Sequence, residues 1–543
     1  MTWREGSYNA EEDLSSGMTA TTAVTTETEA TARRGRNRTD GHRGSRQAAV
    51  NDGRGVCAFP VIVQSQNGFE YCENTVMNWV NNALADGPTG DKLTLRDLLF
   101  FIHIPRTGGR TYFHCFLRKL YTSDQECPRS YDKLRFDPSK PNCRLMVTHD
   151  DYSMMTKLPK QKTSAVTILR NPVDRVFSTY EFSVEVAARF LVRPNLTSGT
   201  QMTKHFRSKS RGVSTLDIWP WKYLVPWMRE DLFSRRDARK HKSIRDISNL
   251  NDSYNMEDIV MPLHVFINDP IAHDIIHNGA TFQVAGLTNN SCLNESHEVR
   301  YCVRKYPKLG KHVLLVAKKR LDDMLYVGLT EDHEESASMF ANMVATQVLS
   351  LQETIISFTE IASSNKSEAN SSFPVPEPDT GNFRQSSINN QEANDIPSPK
   401  NASSTDENMT VVKLMEAYEV CISSLRKAQA NRRTTSLKRI SPANFSKEVR
   451  RAITETVLEK ILSLNSLDVE LYKHAQDIFV QQQKHLQRKL VQGESRERRQ
   501  KSYMTELGNS PWKVVGVAMA IPLMVTSIFL LVTSKRRTSK VKV

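Results

Sequence analysis

Two short stretches of this 543-residue chain carry the residue types that hold phosphate. The first, His103-Ile104-Pro105-Arg106-Thr107-Gly108-Gly109-Arg110-Thr111, follows the apolar run Leu98–Ile102 and precedes apolar residues at 112, 113, 116, 117 and 120. The hydrophobic period switches there from strand to helix. A glycine bend at such a junction presents backbone N–H groups and the positive helix end to an anion, and lets a phosphate approach the main chain. Arg106 and Arg110 add fixed charge on either side of the glycines. The spacing is neither GxxxxGK[ST] nor GxGxxG, so the loop taken alone also suits an ordinary strand-to-helix turn.

The second stretch is Ala165-Val166-Thr167-Ile168-Leu169-Arg170-Asn171-Pro172-Val173-Asp174-Arg175-Val176-Phe177-Ser178. A β-rich run ends in a polar turn, Pro172 suits the first helical turn, and Asp174 complements the dipole there. Arg170 leaves the strand end, and Ser178 lies about two turns into the helix on a face able to lean back toward the same opening. Two such strand ends facing each other suit a ligand with phosphates at both ends.

A third apolar run, Arg144–Val147, ends in Thr148-His149-Asp150-Asp151. In an open α/β sheet functional groups gather beyond the carboxyl ends of strands, which puts His149 beside both loops. A histidine there is suited to take a proton from a hydroxyl; Asp150 and Asp151 are competing bases or partners that orient it.

Together, His103–Thr111 and Leu169–Ser178 resemble the paired signature of Golgi sulfotransferases that use 3′-phosphoadenosine 5′-phosphosulfate. The overall sequence is most similar to the plant-type tyrosylprotein sulfotransferases, which are related to the heparan sulfate 2-O/6-O-sulfotransferase branch. Gly328-Leu329-Thr330-Glu331 and Leu464-Asn465-Ser466-Leu467-Asp468-Val469-Glu470-Leu471-Tyr472 support the likeness, which covers about residues 95–350 and 455–490. It implies a P-loop-like sulfotransferase fold, α/β, with a central parallel sheet flanked by helices. It also implies that Arg106, Thr107, Gly108, Gly109, Arg110 and Thr111 hold the 5′-phosphosulfate and Arg170 and Ser178 the 3′-phosphate. His149 matches the base, and Arg106 stands where the family usually has a catalytic lysine; Arg110 replaces its threonine or serine. The expected reaction is sulfuryl transfer to tyrosine hydroxyls of acidic secreted peptides or proteins. A glycan O-sulfotransferase acting on an anionic, heparan sulfate-like chain, and a non-catalytic luminal nucleotide- or glycan-binding protein, are the alternatives.

A net charge of +14 and pI near 9.3 favour acidic partners. No cysteine pattern of a zinc site and no compact nucleic-acid module is visible, so neither metal nor nucleic acid is expected. Basic residues at 204–211 and at 235, 236, 239, 240 and 242, with Trp219, Trp221 and Trp227 between, read as a solvated face or as a wall attracting acidic acceptors. Of eight cysteines, Cys127 with Cys143 and Cys292 with Cys302 are the short-range pairs available in an oxidising compartment, and Cys115 reads as a buried thiol.

The expected organisation is a disordered segment over 1–55 and a sulfotransferase domain over 56–361. A flexible insertion rich in glycosylation sequons follows over 362–410, then a helical part over 411–495. Within the domain, α/β alternation resumes with Thr281–Leu287, then strand-like Val313–Val316 and Tyr326–Leu329. Residues 513–533, apolar from Val514 to Val532 but for Thr526 and Ser527, are long enough to span a bilayer, and the basic tail 534–543 places itself in the cytoplasm by the positive-inside rule. The expected protein is single-pass, type I, in the Golgi membrane with a luminal catalytic domain, although no signal-peptide pattern is visible near Met1.

Overall fold

A computed structural model of the protein describes residues 68–85, 91–127, 143–201, 218–240, 252–352, 409–440, 443–508, 524–528 and 530–531. Segment 1–55, nearly all of the insertion 362–410, the basic run 204–211, Cys57 and the tail 534–543 lie outside these residues.

After helix α1 (Phe69–Ala85), the described residues form four strands: β1 (Leu98–Ile102), β2 (Leu145–Thr148), β3 (Thr163–Leu169) and β4 (Tyr326–Leu329). They pair in the order β2-β1-β3-β4, each pair parallel. Every residue of these strands is buried. Successive side chains point to opposite faces, so full burial means both faces are covered, which is why the strands read as continuous apolar runs rather than alternating ones. The chain steps from β1 to β2 on one side, then returns to lay β3 on the other. The loops leaving β1 and β3 therefore diverge at a topological switch point, where such sheets bind ligands.

The β1 loop enters α2 (Gly109–Tyr112), which continues as π-helical Phe113–Leu117. The β3 loop enters α3 (Pro172–Ala188), where the Asn171 side chain accepts from the Val173 and Asp174 amides and Pro172 opens the helix as expected. Next come α4 (Trp221–Arg239), α5 (Gly279–Val284), α6 (Ser296–Lys305), α7 (Gly310–Asp322) and, after β4, α8 (His333–Phe340). The C-terminal part adds α9 (Val411–Leu437), α10 (Glu455–Leu464) and α11 (Ser466–Gly508), which runs past residue 495.

Of the three segments expected to resume the alternation, only Tyr326–Leu329 is a strand. Thr281–Val284 lies in α5, and Val313–Val316 lies in α7. Val313, Val316, Ala317 and Leu321 are buried while Leu315 is exposed, a helical spacing that four apolar residues in a row cannot reveal. The apolar face after Glu331 does form, with Met339, Phe340, Met343, Val344 and Val348 all buried.

The cysteines also need correcting. Cys127–Cys143 forms, but Cys302 pairs with Cys72 rather than Cys292, and Cys115 pairs with Cys421 rather than remaining a thiol. The partners lie 230 and 306 residues apart in sequence, a proximity that only tertiary packing creates. The Cys115 bridge fastens α9 to the helix that leaves the β1 loop.

Among the described residues no helix is long and apolar enough to cross a membrane. Of 513–533, only 524–528 and 530–531 are described; they are helical and expose Met524, Val525, Ile528, Leu530 and Leu531.

One buried carboxylate docks the C-terminal part on the sheet domain. Asp468 Oδ2 accepts from Arg175 Nη2 at 2.7 Å and from the Ala280 amide at 3.2 Å. Its Oδ1 accepts from the Thr281 amide and hydroxyl, both at 2.7 Å. Asn278, at φ 55°, accepts from the amides of Leu467 and Asp468. Both Arg175 and Asp468 side chains are almost fully buried, so removing one leaves an uncompensated charge. Asp468→Ala is expected to destabilise the protein by about 3–5 kcal/mol, read as a fall in the denaturant midpoint; a shift smaller than that of a surface Asp→Ala control would refute the pairing.

Candidate functional site

The β1 loop turns because two residues take left-handed backbone angles, Arg106 at φ 70° and Gly108 at φ 85°. The second suits glycine; the first costs an L-residue about 1 kcal/mol or more and persists only where surroundings fix it. Those surroundings are visible: Thr107 Oγ1 donates to the Ile104 carbonyl at 2.9 Å, and the Thr107 carbonyl accepts from Thr330 Oγ1 at 2.8 Å. Thr107 is buried, so its side chain shapes the bend. At Gly109 a Cβ would stand 2.3 Å from the His103 ring, so backbone and imidazole pack too closely for any side chain.

The two loops meet directly. Arg106 Nε donates to Ser178 Oγ at 2.9 Å, and Arg170 Nη1 donates to the Arg106 carbonyl at 3.2 Å. Arg106 also lies over the Phe182 ring, 4.4 Å from its centroid. Burial, with Arg170 nearby, pulls the Arg106 guanidinium down to about 10, which leaves it charged at neutral pH. Burial lowers Arg170 as well. Arg170 Nε lies 3.9 Å from Glu331, which also accepts from the Asn171 amide and from the Tyr472 hydroxyl. The β1 loop, with Arg106, Thr107, Gly108, Gly109, Arg110 and Thr111, is thereby brought against Arg170 and Ser178.

His149 stands at the end of β2, buried, with its ring stacked on His103 at a centroid distance of 4.2 Å. Its Nδ1 lies 2.8 Å from the His103 carbonyl. Burial draws its pKa down to about 4, against smaller upward pulls from that hydrogen bond and from Asp150. The neighbouring aspartates are committed elsewhere. Asp151 is wholly buried and accepts from Ser153 with one oxygen and from the Thr288 amide and hydroxyl with the other. Asp150 accepts from Thr148 Oγ1 at 2.9 Å and from the Asn290 side-chain Nδ2. Both serve as loop anchors.

Other groups escaped the sequence reading. Glu181, one turn beyond Ser178 on α3, is a buried carboxylate shared by Tyr254, Arg433 and Arg450, the last also 2.9 Å from Asp174. Its spacing from Ser178 places both on one helix face, but the arginines that meet it come from more than 250 residues away. His103 was legible as a strand-end residue, but not its stacking on His149. The basic residues of α4 are mostly satisfied: Arg235 pairs with Asp231, and Arg236 with Asp237 and the Arg193 carbonyl. Trp219 and Trp221 are buried, as packing residues are. Among the described residues no group of three His, Cys, Asp or Glu is placed to hold a metal ion.

A parallel sheet whose switch point gathers two arginine-bearing loops and a strand-end histidine defines an α/β protein with basic groups at the carboxyl edge of its strands. No family model matches the chain. A protein-tyrosine sulfotransferase of Arabidopsis thaliana is 54% identical over 484 residues, covering 88% of this chain and 95% of that protein. The chain belongs to the protein-tyrosine sulfotransferase family.

The depressed His149 pKa has a thermodynamic consequence. Between pH 6.5 and about 4 the unfolded imidazole binds a proton that the folded one refuses, so this contribution to stability is complete above 6.5 and is lost as pH falls toward 4. The loss is about 3 kcal/mol at most. Melting curves of wild type and His149→Gln across that window should converge as pH falls; parallel curves would refute the burial of a neutral imidazole.

Proposed function

We propose that this protein transfers a sulfuryl group from 3′-phosphoadenosine 5′-phosphosulfate to tyrosine hydroxyls of acidic peptides or proteins. The observation that carries the reading is Arg106, which touches both anion loops at once through Ser178 and Arg170. Membership of the family supplies the reaction class, and two half-buried guanidinium groups at one switch point suit a nucleotide with separate anionic ends. The nucleotide, when bound, supplies the activated sulfuryl group. Arg106 and the β1 loop hold its phosphosulfate end and neutralise charge developing on the departing phosphate, while Arg170 and Ser178 hold the 3′-phosphate. His149, neutral at physiological pH, takes the tyrosine proton as the phenol oxygen attacks. Most of the catalysis is then positioning and charge stabilisation.

Placement of the catalytic domain in the Golgi lumen belongs to the same proposal. Three disulfides suit an oxidising compartment, and sequon asparagines Asn195, Asn289, Asn294 and Asn444 are exposed. Residues 513–533 anchor the chain with the basic tail in the cytoplasm.

Purified protein offered labelled donor with an acidic tyrosine peptide and desulfated heparan side by side should label the peptide. Arg170→Ala should raise the donor KM about ten-fold or more, as expected for losing a charged hydrogen bond. Label on heparan alone, or unchanged KM, would overturn the assignment. The full chain should resist carbonate extraction from membranes while a variant ending at residue 508 is released; equal release of both would remove the anchor.

A further inference from the structure

Gln283 has no role in the reaction as described, yet it lies at the centre of the strand ends. It is 1% exposed, and its Nε2 faces three main-chain carbonyls: His149 at 2.9 Å, His103 at 3.3 Å and Asp150 at 3.3 Å. Three carbonyl dipoles converging on one buried point repel each other unless a donor stands between them. The His103 carbonyl is also the group that meets His149 Nδ1. A carbonyl oxygen only accepts, so Nδ1 carries the proton, and in the neutral ring Nε2 is the nitrogen that bears the lone pair. Stacking on His103 restrains the ring from turning.

The amide is itself held in place. Gln283 sits on α5, whose first turn is bound to Asp468 through Ala280 and Thr281. Gly279 lets that turn approach the Asp274 carbonyl, where a Cβ would come within 2.9 Å. The motif around Asp468 thus reaches His149 through one short helix.

We infer that Gln283 is the positioning residue of His149: by fixing the His103 and His149 main chain it holds the imidazole in the Nδ1–H tautomer, with Nε2 as proton acceptor. This rests on the reading of His149 as the base, but the tautomer is measurable without turnover. In protein labelled with 15N-histidine, with the His149 resonances assigned by their loss in His149→Gln, wild type at pH 7 should show the Nδ1–H form. Gln283→Met, similar in size but lacking the donor, should show a tautomer mixture. Its kcat should fall about ten- to a hundred-fold with the donor KM unchanged, as expected for a misplaced reacting group. Thr281→Val, which loosens the same helix and spares the amide, should keep the wild-type tautomer despite lower stability. If the Met variant does not fold, Gln283→Asn, whose shorter amide falls short of the His149 carbonyl, gives the same reading. An Nε2–H ring in wild type, or an unchanged tautomer and kcat in the Gln283 variants, overturns the inference. A tautomer shift in those variants with normal turnover by His149→Gln would uphold the positioning and reject His149 as the base.

Discussion

The structure depends on the burial of one carboxylate, Asp468, against Arg175 and the first turn of α5. Neither charge is tolerable in the interior alone, so each fixes the other. Arg175 belongs to the helix that opens with Asn171 and Pro172, while Asp468 begins α11. This contact therefore joins the helix after β3, the first turn of α5 and the start of α11. Gly310, where a Cβ would meet Leu467 at 2.9 Å, shows how close that docking is.

From this frame the site follows by steps. Parallel pairing brings the ends of β1, β2 and β3 to one edge, and the reversal of strand order separates their outgoing loops. Arg106 and Arg170, which would repel each other in isolation, are held together by Ser178, Glu331 and the Arg106 carbonyl. Partial burial of the two guanidinium groups lowers their pKa values.

The C-terminal helices are part of this site. Arg433 of α9 and Arg450 between α9 and α10 converge on Glu181 of α3, and the Cys115–Cys421 bridge ties α9 to the helix leaving the β1 loop. Sheet domain and C-terminal part share one apolar cluster, in which Phe116 and Phe340 pack with Tyr418 and Leu471. Phe116 and Tyr418 stack at 4.0 Å. The intervening residues of the chain interrupt the sequence without dividing the core.

The sequence by itself determined what is local. The apolar runs of β1, β2 and β3, the cap and proline opening α3, the glycines of the first loop and the strand-end position of His149 are all set by neighbours within a few residues, and period and turn chemistry report them. Tertiary structure decided what depends on distant partners. Val313–Val316 is helical, with Val313 and Val316 buried and Leu315 exposed, a choice that a four-residue apolar run leaves open. Cys302 found Cys72, Asp468 found Arg175, and Gln283 reached three carbonyls across more than 130 residues, because only the folded packing brings them within bonding distance. No spacing in the chain encodes such contacts; they are set by the geometry of closing the core, where buried charges and carbonyls must be paired.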